Sequence, residues 1–313
     1  MIAFVFPGQG SQRVGMGRAL AEAFPVARQV FAEADEALGE SLSRLCWEGP
    51  EDWLTLTENT QPAILTASVA AYRVLEAEGL AAHVAFMAGH SLGEYSAHVA
   101  AGTFAFADAV RTVRRRGQYM QEAVPVGSGA MAAVLGLDAD GVAAACRDAA
   151  DGEVVSPANL NGGGQIVIAG SRAAVERAGV RAKALGARRV IPLPVSAPFH
   201  CALMKPAEDR LAPELRALRV RDPRVPVVAN VDAEPKRTAA SGIEALIRPV
   251  SSAVRWEDVV RRLASEGVTT YVEVGPGAVL SGLVRKILRD KPGITTASFG
   301  SPEDLETVLT CLS

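Results

Sequence analysis

Several chemistries are excluded by what this chain of 313 residues has little of. Cysteine is scarce. Cys46, Cys146, Cys201 and Cys311 lie far apart and none has the spacing of a metal-ligand pair. They are expected to stay as thiols, with packing as the role of Cys201. No apolar run approaches the roughly 18 residues that a membrane span needs. Neither charge is in excess: 32 basic residues nearly balance 35 acidic ones, which gives no footprint for nucleic acid or a membrane surface. No basic n-region or cleavage site precedes the strand-like run Ile2–Phe6. A soluble cytosolic protein is expected, built as one large domain or two smaller ones. Repeats and low-complexity segments are missing too.

What the chain does have is Gly89-His90-Ser91-Leu92-Gly93. An apolar run, Val84–Ala88, precedes it and reads as a buried strand; Glu94–Ala100 follows and reads as the start of a helix. Ser91 therefore lies on a G-x-S-x-G turn between strand and helix, the context of a nucleophile elbow. The first helical N–H groups and the helix dipole favour negative charge there. A serine in such a turn also serves as a plain helix N-cap.

The opening strand runs into Pro7-Gly8-Gln9-Gly10-Ser11-Gln12. This is neither G-x-G-x-x-G nor a P-loop with its lysine, so a nucleotide site is rejected. A glutamine between two glycines offers a freely placed backbone N–H, a candidate oxyanion donor, or simply a turn. Thr60-Gln61-Pro62 reads as a helix start, with apolar residues at helical spacing up to Gly79. Residues 106–123 read as a helix carrying Arg111, Arg114, Arg115 and Arg116. Residues 100° apart cannot all point outward, so at least one of the last three should face inward, where a guanidinium needs an anionic partner.

Gly127-Ser128-Gly129 reads as a hinge. Beyond it come a strand at 130–137, a helix at 138–150, strands at 154–158 and 165–169 joined by a loop over 159–164, a helix at 173–185 and a strand at 189–193. That order, β-α-β-β-α-β, is the ferredoxin-like unit. The chain returns through the Pro-rich segment 194–200, a surface or cleft loop ending at His200. A short strand near Val227-Val228, helices near 242–248 and 256–266, the strand Thr270–Val274, a helix at 278–288, a strand at 294–298 and a terminal helix follow.

Serine needs a base within hydrogen-bond reach. Four histidines are available: His83, His90, His98 and His200. His90 adjoins Ser91, but neighbours on a sharp turn point to different sides, so it packs or lines a pocket. His98 is two helical turns away, core or surface, and His83 precedes the strand at the surface. His200 is the remaining candidate.

Five motifs occur together in this order: Phe6-Pro7-Gly8-Gln9-Gly10-Ser11-Gln12, Thr60-Gln61-Pro62-Ala63, Gly89-His90-Ser91-Leu92-Gly93-Glu94, Arg116-Gly117-x-x-Met120-Gln121 and Val272-Glu273-Val274-Gly275-Pro276-Gly277. The set resembles the malonyl-CoA:acyl carrier protein transacylases of fatty acid synthesis, a pattern shared by the acyltransferase domains of polyketide synthases. Residues 124–133 and 192–206 resemble the bacterial free-standing type. The expected fold is α/β: a large α/β-hydrolase-like domain with a parallel central sheet, from residues 1–127 and 195–313, plus an inserted ferredoxin-like subdomain, 128–194.

The resemblance implies roles for matching positions. Ser91 is the acylated nucleophile and His200 its general base, then acid. The backbone N–H groups of Gln9 and Leu92 form the oxyanion hole. Arg116 holds the free carboxylate of the malonyl group, which a planar guanidinium pairs bidentately. Gln61, Met120 and Asn161 line the acyl pocket or cleft. Phe199, before the histidine, crowds a C2 methyl and favours malonyl over methylmalonyl. One position departs: where the family has a glutamine whose backbone carbonyl orients the histidine, this chain has Pro249. Proline keeps the carbonyl and loses only its N–H.

No metal or redox cofactor is implied; the substrates are malonyl-CoA and holo-acyl carrier protein. The carrier is acidic, with Lys183, Arg188, Arg189, Arg285, Lys286 and Arg289 as candidate contacts, each also readable as solvated surface. A monomer is expected. Three rivals share these features: a serine acyl hydrolase of the same fold, a non-catalytic carrier-binding scaffold, and a trans-acting polyketide synthase acyltransferase.

Overall fold

The computed structural model describes residues 1–125, 127–195 and 197–312. Its central sheet contains β1 (Ile2–Phe6), β2 (Val84–Gly89), β7 (Val227–Val228), β8 (Pro235–Lys236), β9 (Thr270–Val274) and β10 (Thr295–Phe299), in the order β10-β9-β1-β2-β7-β8. All neighbours run parallel except the edge pair β7 and β8. Strands buried on both faces carry apolar residues throughout. In β1 the alternation is visible: Phe4 and Phe6 enter one core, Ala3 and Val5 the other. The first core is closed by helices that include Thr57–Ala77, Gly93–Ala100 and Phe106–Glu122, the second by Trp256–Ser265 and Val279–Ile287.

The second sheet is antiparallel and four-stranded: β3 (Gly129–Leu135), β4 (Val155–Gly162), β5 (Gln165–Ser171) and β6 (Arg189–Pro192), ordered β4-β5-β3-β6. Helices Ala139–Ala149 and Arg172–Ala184 pack on it around a separate apolar core. Asp138 caps the first of them, accepting a hydrogen bond from the Gly141 amide at 2.8 Å. Backbone bonds tie this sheet to the large body, from Leu160 N to Val254 O and from Val254 N to Ala158 O, both at 2.9 Å.

Two local expectations change. Residues 159–162 are not loop but the end of β4, whose pairing with β5 shifts register between Pro157 and Asn159 and again between Leu160 and Gly162. These bulges let an Asn- and Gly-rich stretch remain in the ladder. The helix expected from Thr60 begins at Thr57, so Pro62 lies inside it and forgoes one backbone bond. No helix among the described residues is long and apolar enough to cross a membrane. Ser196, in the returning loop, lies outside the described residues.

Candidate active site

Adjacent parallel strands end side by side, so the loops after β1 and β2 share one edge of the sheet. Phe6 pairs with Gly89, and the His90 amide donates to Phe6 O at 3.0 Å. Gln9 and Ser91 thus come together from distant parts of the sequence. The turn at Ser91 is tight: Ser91 has φ 51°, in the left-handed region that L residues avoid. The flanking glycines are required by contact. A Cβ on Gly93 would lie 2.0 Å from Phe6 O, and one on Gly89 would lie 1.9 Å from the carbonyl carbon of Gly93.

His200 reaches this turn from the loop that follows the second sheet. Its Nε2 is 2.8 Å from Ser91 Oγ, and its Nδ1 is 2.5 Å from the carbonyl oxygen of Pro249, in the single helical turn Arg248–Val250. A carbonyl only accepts, so Nδ1 carries the proton and Nε2 is left to accept from the serine hydroxyl. Proline retains the carbonyl that this contact uses, and its missing N–H plays no part in it. Burial, reinforced by the nearby Arg116 charge, pushes the His200 pKa down to about 3, so the imidazole is neutral at physiological pH.

Arg116 is the inward-facing member of its run and is 3% exposed. Arg111 pairs with Asp108 at 2.8 Å and Arg115 with Glu214 at 3.0 Å, both at the surface, while Arg114 meets Glu40 and Asn59. The Arg116 guanidinium donates from Nη1 to Gln61 Oε1 at 2.7 Å and from Nη2 to Ser91 Oγ at 3.3 Å, and lies 5.5 Å from the Tyr95 ring centroid. The expected anionic partner is not a protein group: among the described residues no carboxylate lies within ion-pairing distance of it. Burial lowers its pKa. Gln61 Nε2 approaches Met120 Sδ at 3.8 Å.

A cavity of about 110 Å³ collects Gln9, Gln61, Ser91, Arg116, Met120, Phe199 and His200. It shares His90 and Asn159 with an adjoining cleft of about 400 Å³ that runs between the two sheets. Asn161 lines that outer cleft rather than the inner cavity, and its Oδ1 is 2.8 Å from His90 Nε2. Leu92 turns its side chain into the core. Among the described residues, neither the Leu92 nor the Gln9 amide donates to another protein group. The arrangement combines a serine paired with a neutral base, two free amides and one buried cation, which suits covalent transfer of an acyl group that carries a negative charge.

The family model described as the acyl transferase domain matches residues 3–303. The chain belongs to the acyl transferase family. Within that family it is similar to the malonyl CoA-acyl carrier protein transacylase of Escherichia coli K12, at 52% identity over 98% of both chains. It is similar to an acyl carrier protein S-malonyltransferase from Vibrio cholerae, at 50% identity and TM-score 0.95 over 98% of this chain and 99% of that one. A second similar structure, at 48% identity and TM-score 0.95 over 99% of each chain, is a malonyl-transacylase in complex with a type II polyketide acyl-carrier protein.

Other expectations for this acyl transferase family member sort themselves by position. His90 packs against Trp256, with ring centroids 5.6 Å apart, and is no partner of Ser91 Oγ. His98 is fully buried and bonds Thr103 Oγ1 at 3.0 Å, whereas His83 is exposed. Cys201 packs in the core, where burial raises its thiol pKa to about 11. Arg285, Lys286 and Arg289 line one shallow hollow beside Gly163, and Arg188 joins the latter two in its neighbour; Lys183 and Arg189 are exposed but line neither. Sequence reasoning missed two residues, Asn230 and the role of Glu94. Asn230 lies two residues beyond β7 and accepts the Ser91 amide on Oδ1 at 2.6 Å. The only local signal was a polar residue closing the apolar run Val227–Ala229.

Proposed function

We propose that this chain transfers the malonyl group of malonyl-CoA to the phosphopantetheine thiol of acyl carrier protein through an ester on Ser91, supplying malonyl-carrier for fatty acid elongation. The observation that carries the reading is a buried guanidinium, with no carboxylate in ion-pairing distance among the described residues, 3.3 Å from the hydroxyl that His200 holds. An acyl group ending in a carboxylate would satisfy that cation; an acetyl group would leave it buried and unpaired.

In the first half-reaction the Ser91 hydroxyl gives its proton to His200 Nε2 as Oγ bonds to the thioester carbonyl carbon. The Gln9 and Leu92 amides receive the oxyanion. Collapse breaks the C–S bond, and the proton on His200 leaves with the coenzyme A sulfur. In the second, the carrier thiol gives its proton to His200 while its sulfur attacks the ester. The C–O bond breaks and Oγ recovers a proton from His200. Both steps balance without any further reactant. Pro249 fixes the imidazole, Gln61 orients Arg116, Met120 and Phe199 wall the acyl pocket, and Asn161 with His90 borders the cleft that admits the thioester arm.

We read residues 128–194 as a ferredoxin-like subdomain inserted into a large domain of 1–127 and 195–313, with the cleft between them. An acidic carrier would dock at the cleft mouth near Arg188, Arg285, Lys286 and Arg289, with Lys183 and Arg189 as outlying contacts. The enzyme acts as a cytoplasmic monomer. The test is intact mass after brief incubation with malonyl-CoA, acetyl-CoA or methylmalonyl-CoA. A malonyl adduct on Ser91 that persists in buffer and is discharged by holo-carrier is the expected result. An adduct lost to water without carrier would indicate a hydrolase instead.

A further inference from the structure

Asn230 is 0% exposed and its polar groups are engaged on every side. Oδ1 accepts from the Ser91 amide at 2.6 Å, Nδ2 donates to Gly89 O at 2.7 Å, its own amide donates to Glu94 Oε2 at 3.0 Å, and its carbonyl accepts from the Arg255 amide at 3.0 Å. It bridges three elements: the end of β2, the turn at Ser91 and the first turn of the helix Gly93–Ala100. It follows the strand beside β2, since Met87 pairs with Val227 and Ala88 with Val228.

We propose that Asn230, held by Glu94, is a positioning residue that locks the Ser91 turn and keeps the Ser91 amide out of the oxyanion hole. The inference rests on Ser91 being the nucleophile, as argued above. Ser91 sits at φ 51°, a conformation that persists only where its surroundings over-determine it. One carboxamide does this by accepting from the amide of the strained residue and donating to the carbonyl two residues earlier. An aspartate in its place would set a second oxygen against Gly89 O; alanine would leave a buried N–H and a buried carbonyl unpaired. Because the Ser91 N–H is consumed here, the oxyanion is left to the amides of Leu92 and Gln9. Glu94 is itself buried, and burial raises its pKa to about 8. Accepting from the Asn230 amide does not require its charge, so glutamine can replace it in this contact.

The test is single-turnover acylation by malonyl-CoA, followed by quenched-flow mass spectrometry, with amplitude reporting the active fraction and rate constant reporting alignment. In Asn230→Ala the saturating rate constant is expected to fall about 100-fold, the scale of a small misplacement of a reacting group. The amplitude and the malonyl-CoA concentration at half-saturation should hold within about 3-fold, because Arg116 and the cleft are untouched. Glu94→Ala should fall about 10-fold, the loss of one buried hydrogen bond, with Glu94→Gln restoring most of it. If Asn230→Ala does not fold, the Glu94 pair carries the test alone. A lower amplitude at the wild-type rate constant, or no rescue by glutamine over alanine, would overturn the proposal. Wild-type enzyme that forms no Ser91 adduct would overturn the reading of the site first, and is distinguished from either result.

Discussion

Arg116→Ala is expected to cut malonyl transfer while sparing acetyl transfer. The guanidinium is 3% exposed, with Gln61 Oε1 as its strongest protein contact at 2.7 Å. A malonyl carboxylate entering there would form a desolvated, charge-assisted pair. Truncating one partner of such a pair costs about 2–5 kcal/mol, or roughly 30- to 5,000-fold in kcat/KM. Acetyl has no carboxylate to lose, and removing a buried cation relieves its unpaired charge, so the acetyl rate should hold or rise. Truncation also strips the buried Gln61 Oε1 of its donor and opens a cavity, so the urea midpoint should fall modestly, which is why the malonyl and acetyl rates are compared as a ratio on the same folded enzyme. Gln61→Glu approaches the same end from the other side. It would place a protein carboxylate where Gln61 Oε1 now sits, neutralise Arg116 from within, and compete with the substrate. The assay is the ratio of malonyl to acetyl acylation rates at Ser91, measured by intact mass under single-turnover conditions. A ratio unchanged in both variants would refute the assignment of Arg116 to the substrate carboxylate.

His200 must be neutral to accept a proton, and its pKa is depressed to about 3 from the ordinary 6.5. The acylation rate should therefore stay flat from pH 8 to about 5, and in Arg116→Ala the acid limb should move to higher pH as a positive neighbour is removed; a wild-type limb centred at 6.5 would contradict this. His98, with a pKa also near 3, and His200 are buried neutral, so the unfolded chain takes up protons that the folded one refuses. Their stabilisation is complete above about pH 6.5 and declines as pH falls towards 3, by about 2 kcal/mol per histidine at pH 5, and urea midpoints between pH 8 and 5 should show the fall, roughly halved in His98→Leu. Phe199→Ala should narrow the preference for malonyl over methylmalonyl by about 10-fold or more, the scale set by one methyl group in an apolar pocket, as read from paired acylation rates.

How far the sequence reached is explained by what periodicity records. In β1 the side chains divide between two cores, and the strand–turn–helix around Ser91 has the local signature of its turn. These are statements about which face of a single element is buried, and alternation carries them. The boundary errors have local causes. The end of β4 resembled a loop because bulges admit Asn and Gly into its ladder, and the helix at Thr57 began ahead of the proline that marked its expected start.

The site itself is a property of adjacency, which no single element encodes. Ser91 and His200 are 109 residues apart, and their meeting is expected from elimination among four histidines and from a set of ordered motifs that resembles a family, not from any single element. Where that resemblance supplied no position, as at Asn230, the contact was missed. It spans 139 residues and depends on β7, a strand of two residues, lying beside β2 in the sheet. The ends of β1, β2 and β7 lie in a row, and each contributes one part: the Gln9 amide, the Ser91 turn, and the carboxamide that locks it. Sheet order thus decides which loops can share a reaction, and the strained backbone of Ser91 is held by the strand next to it rather than by its own neighbours in sequence.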